Sequence, residues 1–224
     1  MDGLAGTACG VLLALVMGVV SGVAASLVVL RCGRPRLRVA PFCPEIVGAA
    51  DASREKHVGV SVWNEATPRG IGWFYDGEAA TGCRIWFRFR DEHNRPVSDP
   101  SEFPEGWIPG RWDQAPHPQF SWREAGDLTI MWVPYEIDIA PKTTARQVQV
   151  AVRTERDRSY VWNDETMVRL GRQMSCQPEL ERLELKLPKY IVTVRITAHG
   201  REYCSHFYLY ANKDRFQLEE ASRS

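Results

Sequence analysis

Residues 83–90 read CRIWFRFR, and the spacing of that octet decides the fold class. In an extended chain successive side chains point to opposite faces. Cys83, Ile85, Phe87 and Phe89 therefore share one side, and Arg84, Trp86, Arg88 and Arg90 share the other. This is the pattern of a half-buried strand. The same period of two recurs upstream, where Val58, Val60 and Val62 alternate with His57, Gly59 and Ser61. It recurs downstream, where Val148, Val150 and Val152 alternate with Gln147, Gln149 and Ala151. An all-β domain over residues 37–218 follows, with a short tail at 219–224.

Working outward, DLTIMWVPYEIDI at 127–139 is β-prone but carries Pro134, which predicts a strand end, a bulge or an edge there. No sustained helical stripe is visible past residue 40; the best helix candidate, PELERLELKL at 178–187, alternates Leu183, Leu185 and Leu187 with charges and reads equally well as a strand. Between residues 91 and 119 the chain collects six prolines among turn residues. A connection that long is expected to carry a short edge strand or a functional loop.

LPKYIVTVRIT at 187–197, the Gly200 turn and YCSHFYLY at 203–210 are similar to the penultimate and last strands of immunoglobulin-like sandwiches. Tyr190 stands where those domains keep a tyrosine whose hydroxyl ties back to upstream backbone, and Lys189 stands where glycine is usual. The run from VSVWNE (60–65) through CRIWFRF and GRW (110–112) to the Tyr190 strand also resembles uncharacterised prokaryotic membrane-anchored proteins of this type. The resemblance implies an immunoglobulin-like β-sandwich behind one transmembrane helix, and implies no activity.

Residues 1–36 read as that anchor and its basic flank. Leu4 to Leu30 holds no charged residue, and at ~1.5 Å per residue a helix there would reach about 40 Å, beyond the ~30 Å hydrocarbon core. The alternative is a cleaved signal peptide, with small residues in GVAAS at 22–26. However, Met-Asp-Gly supplies no basic leader and the apolar run is too long. Arg31, Arg34, Arg36 and Arg38 crowd its C-terminal flank, which predicts a single-pass protein of the cell membrane with a cytoplasmic domain. Gly6, Gly10, Ala14, Gly18, Gly22 and Ser26 recur every four residues, a spacing that suits a homodimer through the helix. Glycine and alanine are also simply common in membrane helices.

Past residue 40 the chain carries 24 basic against 27 acidic residues, which excludes a phosphate-backbone binder, so no nucleic-acid partner is expected. Cys43, Cys83, Cys176 and Cys204 show no close pair, and buried free thiols are the default; Cys204-x-His206 is a weak metal candidate. No motif with catalytic mechanics is present, no cofactor is implied, and the chain is not read as an enzyme. Two similar phrases, VWNEAT at 62–67 and VWNDET at 161–166, read as strand ends at which Asn64 and Asn163 begin turns and Trp63 and Trp162 cover the core. Their flanks do not match, which argues against duplication. Should Glu65, Asp164 and Glu165 converge, an acidic hydrolase site would result.

Eight tryptophans exceed what one sandwich core needs. Arg84, Trp86, Arg88 and Arg90 form the candidate partner contact, able to meet a protein or anionic headgroups unless the proline-rich loop covers them. The leading expectation is thus a membrane-anchored binding or assembly module with a protein partner. The alternatives are an extracytoplasmic carbohydrate- or envelope-binding module, and the hydrolase.

Overall fold

The computed structural model describes residues 15–27, 34–42, 55–66, 77–97, 103–122, 128–131, 135–171 and 178–221. The domain is mostly strand, in two antiparallel sheets. The smaller is built from β1 (Leu37–Phe42), β2 (Lys56–Asn64), β9 (Arg146–Arg153) and β10 (Ser159–Val161) in that order, with β5 (Arg111–Trp112) also on β9. The larger runs β13 (Arg215–Glu220), β12 (Arg201–Asn212), β11 (Lys189–Ala198), β3 (Ala80–Arg90), with β4 (Ile108–Pro109) and β8 (Ile137–Ile139) sharing the far edge of β3. A separate hairpin joins β6 (Gln119–Trp122) to β7 (Leu128–Met131).

The alternation of residues 83–90 is borne out. Cys83, Ile85, Phe87 and Phe89 are all buried, and they share one core with Val58, Val60, Val62, Val148 and Val150 of the other sheet and Val192, Val194 and Ile196 of β11. Each large apolar side chain buried this way contributes about 1.5–3 kcal/mol relative to exposure. The sheets are also stitched by the proline-rich segment. It crosses from β4 in one sheet to β5 in the other within three residues. Gly110 makes the crossing, because a Cβ there would lie 2.7 Å from the Phe87 ring. Trp112 then buries in the core and donates its indole N–H to the Cys83 carbonyl at 3.2 Å.

In β9 the alternation slips. A bulge opposite Val58 and Gly59 inserts one residue, so Val150 and Ala151 join the main core while Val152 turns to a second cluster. Gly59 is required there, since a Cβ would meet the Val148 carbonyl oxygen at 2.3 Å. The second cluster is covered by α2 (Asp164–Gly171) and α3 (Pro178–Glu181), whose Leu170 and Leu180 pack with Val152 and Tyr160.

The first of these helices corrects the sequence reading, and the second settles the start of a stretch that read equally as helix or strand. VWNDET does not trail into a polar connection: Asn163 caps α2 by accepting from the Thr166 N–H at 2.9 Å, and Asp164 and Glu165 occupy its first turn. Residues 178–187 are not a strand. α3 occupies their start, and the stretch after it pairs only through an isolated bridge between Glu184 and Tyr160. The stretch 127–139 holds two strands, β7 and β8, and Pro134 between them lies outside the described residues.

At the N-terminus a helix, α1, covers residues 15–27. Among the described residues no helix is long and apolar enough to cross a membrane. The expected span of 4–30 extends beyond them at both ends, and Gly6, Gly10 and Ala14 lie outside the described residues. Within α1 the Ser26 hydroxyl donates to the Gly22 carbonyl at 2.8 Å, and a Cβ on Gly18 or Gly22 would meet nothing within 4 Å.

Candidate binding face

Strand β3 turns Arg84, Trp86, Arg88 and Arg90 away from the core onto the outer face of the larger sheet, as its alternation requires. The register adds to each a neighbour on β11: Thr197 beside Arg84, Arg195 beside Trp86, Thr193 beside Arg88 and Ile191 beside Arg90. One strand further, Cys204 lies beside Arg195 and His206 beside Thr193.

The four predicted residues meet different fates. Arg84 is exposed and its Nε donates to Glu136 at 2.6 Å. Arg90 donates to the Asn94 side chain at 2.5 Å. Trp86 is half-buried. Arg88 has its guanidinium carbon 4.3 Å from the ring centroid of Trp107, and Arg195 stacks on the same ring at 4.1 Å. Trp107 belongs to the proline-rich segment, which therefore lies over part of this face; the indole is only 8% exposed. Thr193, an outward-facing residue of the same face, is 5% exposed. Burial first, then the positive charges of Arg90 and Arg195, hold Arg88 below the usual guanidinium range, with Cys204 and Glu105 opposing.

Beyond β11 the face changes from indole to phenol. Lys189 lies 4.9 Å from the Tyr208 centroid and 5.9 Å from that of Tyr210, and Arg215 stacks on Tyr210 at 3.8 Å. Cation–π pairs of this kind contribute about 0.5–2 kcal/mol each, according to desolvation. A face so constructed offers flat aromatic surface and guanidinium edges together.

Arg195 and Trp107 were missed from sequence. Arg195 could have been found by extending the alternation of KYIVTVRIT, in which Thr193, Arg195 and Thr197 point outward. Covering of this face by the proline-rich segment was foreseen, but nothing in the segment singles out Trp107 as the residue that does it.

The acids do not assemble into a site. Glu65 pairs with Arg38 at 3.1 Å, Asp164 with Arg111 at 2.5 Å, and Glu165 with Arg169 at 2.9 Å and Arg182 at 2.6 Å. Val161 is level with Val58 through their common neighbour Ala151, so Asn64 lies six residues further along β2, about 20 Å at ~3.3 Å per residue. Among the described residues no group of histidine, cysteine and acidic side chains is placed to hold a metal ion. The thiols differ: Cys204 is exposed, against the expectation of burial, while Cys83 is buried and its thiol is pushed up to about 12, by burial first and then by Asp138. Cys43 and Cys176 lie outside the described residues.

Compared with protein-family models, with curated proteins and with solved structures, the chain matches none.

Proposed function

We propose that this chain is a single-pass membrane protein whose β-sandwich, immunoglobulin-like in class, stands on the cytoplasmic side and serves binding or assembly through the face of Arg84, Trp86, Arg88 and Arg90. The observation that carries the tether is α1: Leu15, Val16, Met17, Val19, Val20, Val23 and Leu27 are 51–63% exposed, so large apolar side chains look outward over more than half of the helix surface, and the rest carries the small residues Gly18, Ser21, Gly22 and Ala25. Such a surface is unfavourable in water and suits lipid. The arginines at 31, 34, 36 and 38 give the direction. The immunoglobulin-like class is supported by Tyr190, whose buried hydroxyl accepts the Leu187 N–H three residues upstream. For the helix we propose self-association along Gly10, Ala14, Gly18, Gly22 and Ser26.

The binding role is supported by the chemistry of the face, over which, among the described residues, no helix is laid as α2 and α3 are over the second cluster. Its partner is expected to be a protein or the membrane surface itself. Pairing of every acid in the two VWN phrases with arginine leaves no free carboxylate there for hydrolysis.

Cys204 supplies the test. In a variant retaining only Cys204, an impermeant maleimide should label the protein after permeabilisation and not in intact cells, and the full chain should stay in the membrane pellet after alkaline extraction. Labelling in intact cells would instead favour the extracytoplasmic module. Release of the chain by alkali would end the tether.

A further inference from the structure

Among the described residues Arg88 is the outer-face arginine with no hydrogen-bonded or ion-paired partner, although the Glu105 carboxylate acts on it from further off. Arg84 has Glu136, Arg90 has Asn94, Lys189 has Glu92 at 3.4 Å, and Arg215 has Glu219. Arg195 reaches Glu202 only at 3.4 Å. Among the described residues none accepts a hydrogen bond from Arg88, and its Nε is buried without a partner; the Nε of Arg195 is in the same condition.

Stacking on Trp107 does not substitute for those bonds. A cation–π contact uses the face of the guanidinium, whereas its N–H donors lie in the plane and point out from the edges. Each arginine is therefore fixed in position with its Nε–H unspent, while Arg195 also donates from Nη1 to Glu202 at 3.4 Å. Two like charges on one indole also repel, and burial weakens the screening that water would give. A single oxyanion placed between the two forks relieves both costs: it accepts the in-plane hydrogen bonds and cancels the repulsion. A tetrahedral dianion fits better than a carboxylate, because it has acceptor oxygens for two separate forks and enough charge for both.

We propose that Arg88 and Arg195, braced by Trp107 and bordered by Trp86, form a receptor for a phosphate-type oxyanion. The source is either free phosphate or the phosphomonoester of a lipid headgroup; the second rests on the membrane tether proposed above, and the site itself does not.

The test uses the full chain in neutral-detergent micelles, with tryptophan emission as the readout because two indoles border the site. Inorganic phosphate is titrated in one arm, and phosphatidic acid is mixed into the micelles in the other. A saturable change is expected in at least one arm. Arg88→Gln and Arg195→Gln should each weaken it at least tenfold, and Arg88→Lys, which keeps charge but loses the fork, should weaken it by an intermediate factor. Lys56→Gln, at an exposed position on the other sheet, should leave it unchanged. Thermal melts of each variant separate loss of the site from loss of the fold. A response to phosphatidic acid alone assigns the ligand to the membrane, and a response to both assigns it to phosphate in general. No saturable response from the parent chain, or one that survives both glutamine variants, overturns the proposal. If the chain proves free of the membrane yet still answers phosphate, the tether falls and the receptor stands.

Discussion

VWNEAT and VWNDET share three opening residues and are put to opposite uses. Asn64 is a cross-link: its side-chain oxygen accepts the Arg36 N–H at 2.9 Å, and its amide donates to the Glu78 and Ile139 carbonyls at 2.8 and 3.1 Å. Three segments distant in sequence meet on one side chain. Asn163 is a helix cap, accepting from Thr166 while its own amide nitrogen is buried without a partner. The same contrast holds one residue on. Glu65 faces solvent at 43% side-chain exposure beside Arg38 at 56%, whereas Asp164 and Arg111 are 17% and 9% exposed. A local phrase thus sets which donors and acceptors are on offer, and the surrounding fold decides what they join.

The largest consequence of the second phrase lies in Glu165, which has no counterpart in the first. Its carboxylate is 3% exposed between Arg169, at 7%, and Arg182, at 33%. Glu165→Ala leaves a buried guanidinium uncompensated and should cost about 3–5 kcal/mol in a denaturant melt. Replacing both charges, as Glu165→Leu with Arg169→Met, should return most of that loss, because the desolvation penalty leaves with the pair. A double variant no better than the single one would show that the network itself, not the stranded charge, holds α2 in place.

Asn64 comes next. Asn64→Ala strands one N–H and two carbonyls and should destabilise by about 2–3 kcal/mol. The sharper probe is aspartate. Asn64→Asp keeps the acceptor but turns an oxygen toward two carbonyls, and should be nearly as harmful as alanine. Asn163→Asp keeps everything the cap uses, removes an unsatisfied donor and puts negative charge at a helix N-terminus, so it should be neutral within about 0.5 kcal/mol. Asn163→Ala should cost about 1–2 kcal/mol. If the two aspartate variants behaved alike, the division between cross-link and cap would be wrong.

These residues also mark how far the sequence could be read. The strands of the core were legible because their signal is strictly local: β3 announces itself in eight consecutive side chains. The outward set Arg84, Trp86, Arg88 and Arg90 was legible for the same reason. α2 was not read, although Asn163 at the cap, Asp164 and Glu165 in the first turn, Arg169 in the last and Gly171 at the end are ordinary helix boundaries. The eight-residue helix is too short for its periodicity to outweigh the strand ahead of it. Asn64 could not have been read, since its partners lie 28, 14 and 75 residues away. The return of the proline-rich segment over the sheet was foreseen, but not that Trp107 would be the residue it lays on the face, because that depends on the path of the segment. The receptor proposed for Arg88 and Arg195 depends on that long-range return.

A gentler effect distinguishes the two tryptophans. Trp162 packs edge-on against His57 at 5.0 Å between centroids. Burial lowers the His57 pKa from its usual 6.5, with the neighbouring Gln149 side chain opposing. The folded state then binds fewer protons than the unfolded chain between the lowered value and about 6.5. Stability should be full above that window and fall as the pH drops through it. Replacing His57 with glutamine should flatten that part of the pH profile, and an unchanged profile would remove His57 from the account.

The smallest effect belongs to Glu65. Both members of its pair are about half exposed, so solvent screens the attraction and the side chains lose entropy in holding it. Glu65→Gln should shift the unfolding free energy by no more than about 0.5 kcal/mol, and less in high salt. Asp164→Asn, at the aligned position, should cost more, because Arg111 is nearly buried and Ala115 and Pro116 already fix its other nitrogen through their carbonyls. The two measurements test the comparison where it is most exposed to failure. Equal and negligible losses would mean that burial at the second phrase adds nothing, and the contrast would then rest on the asparagines alone.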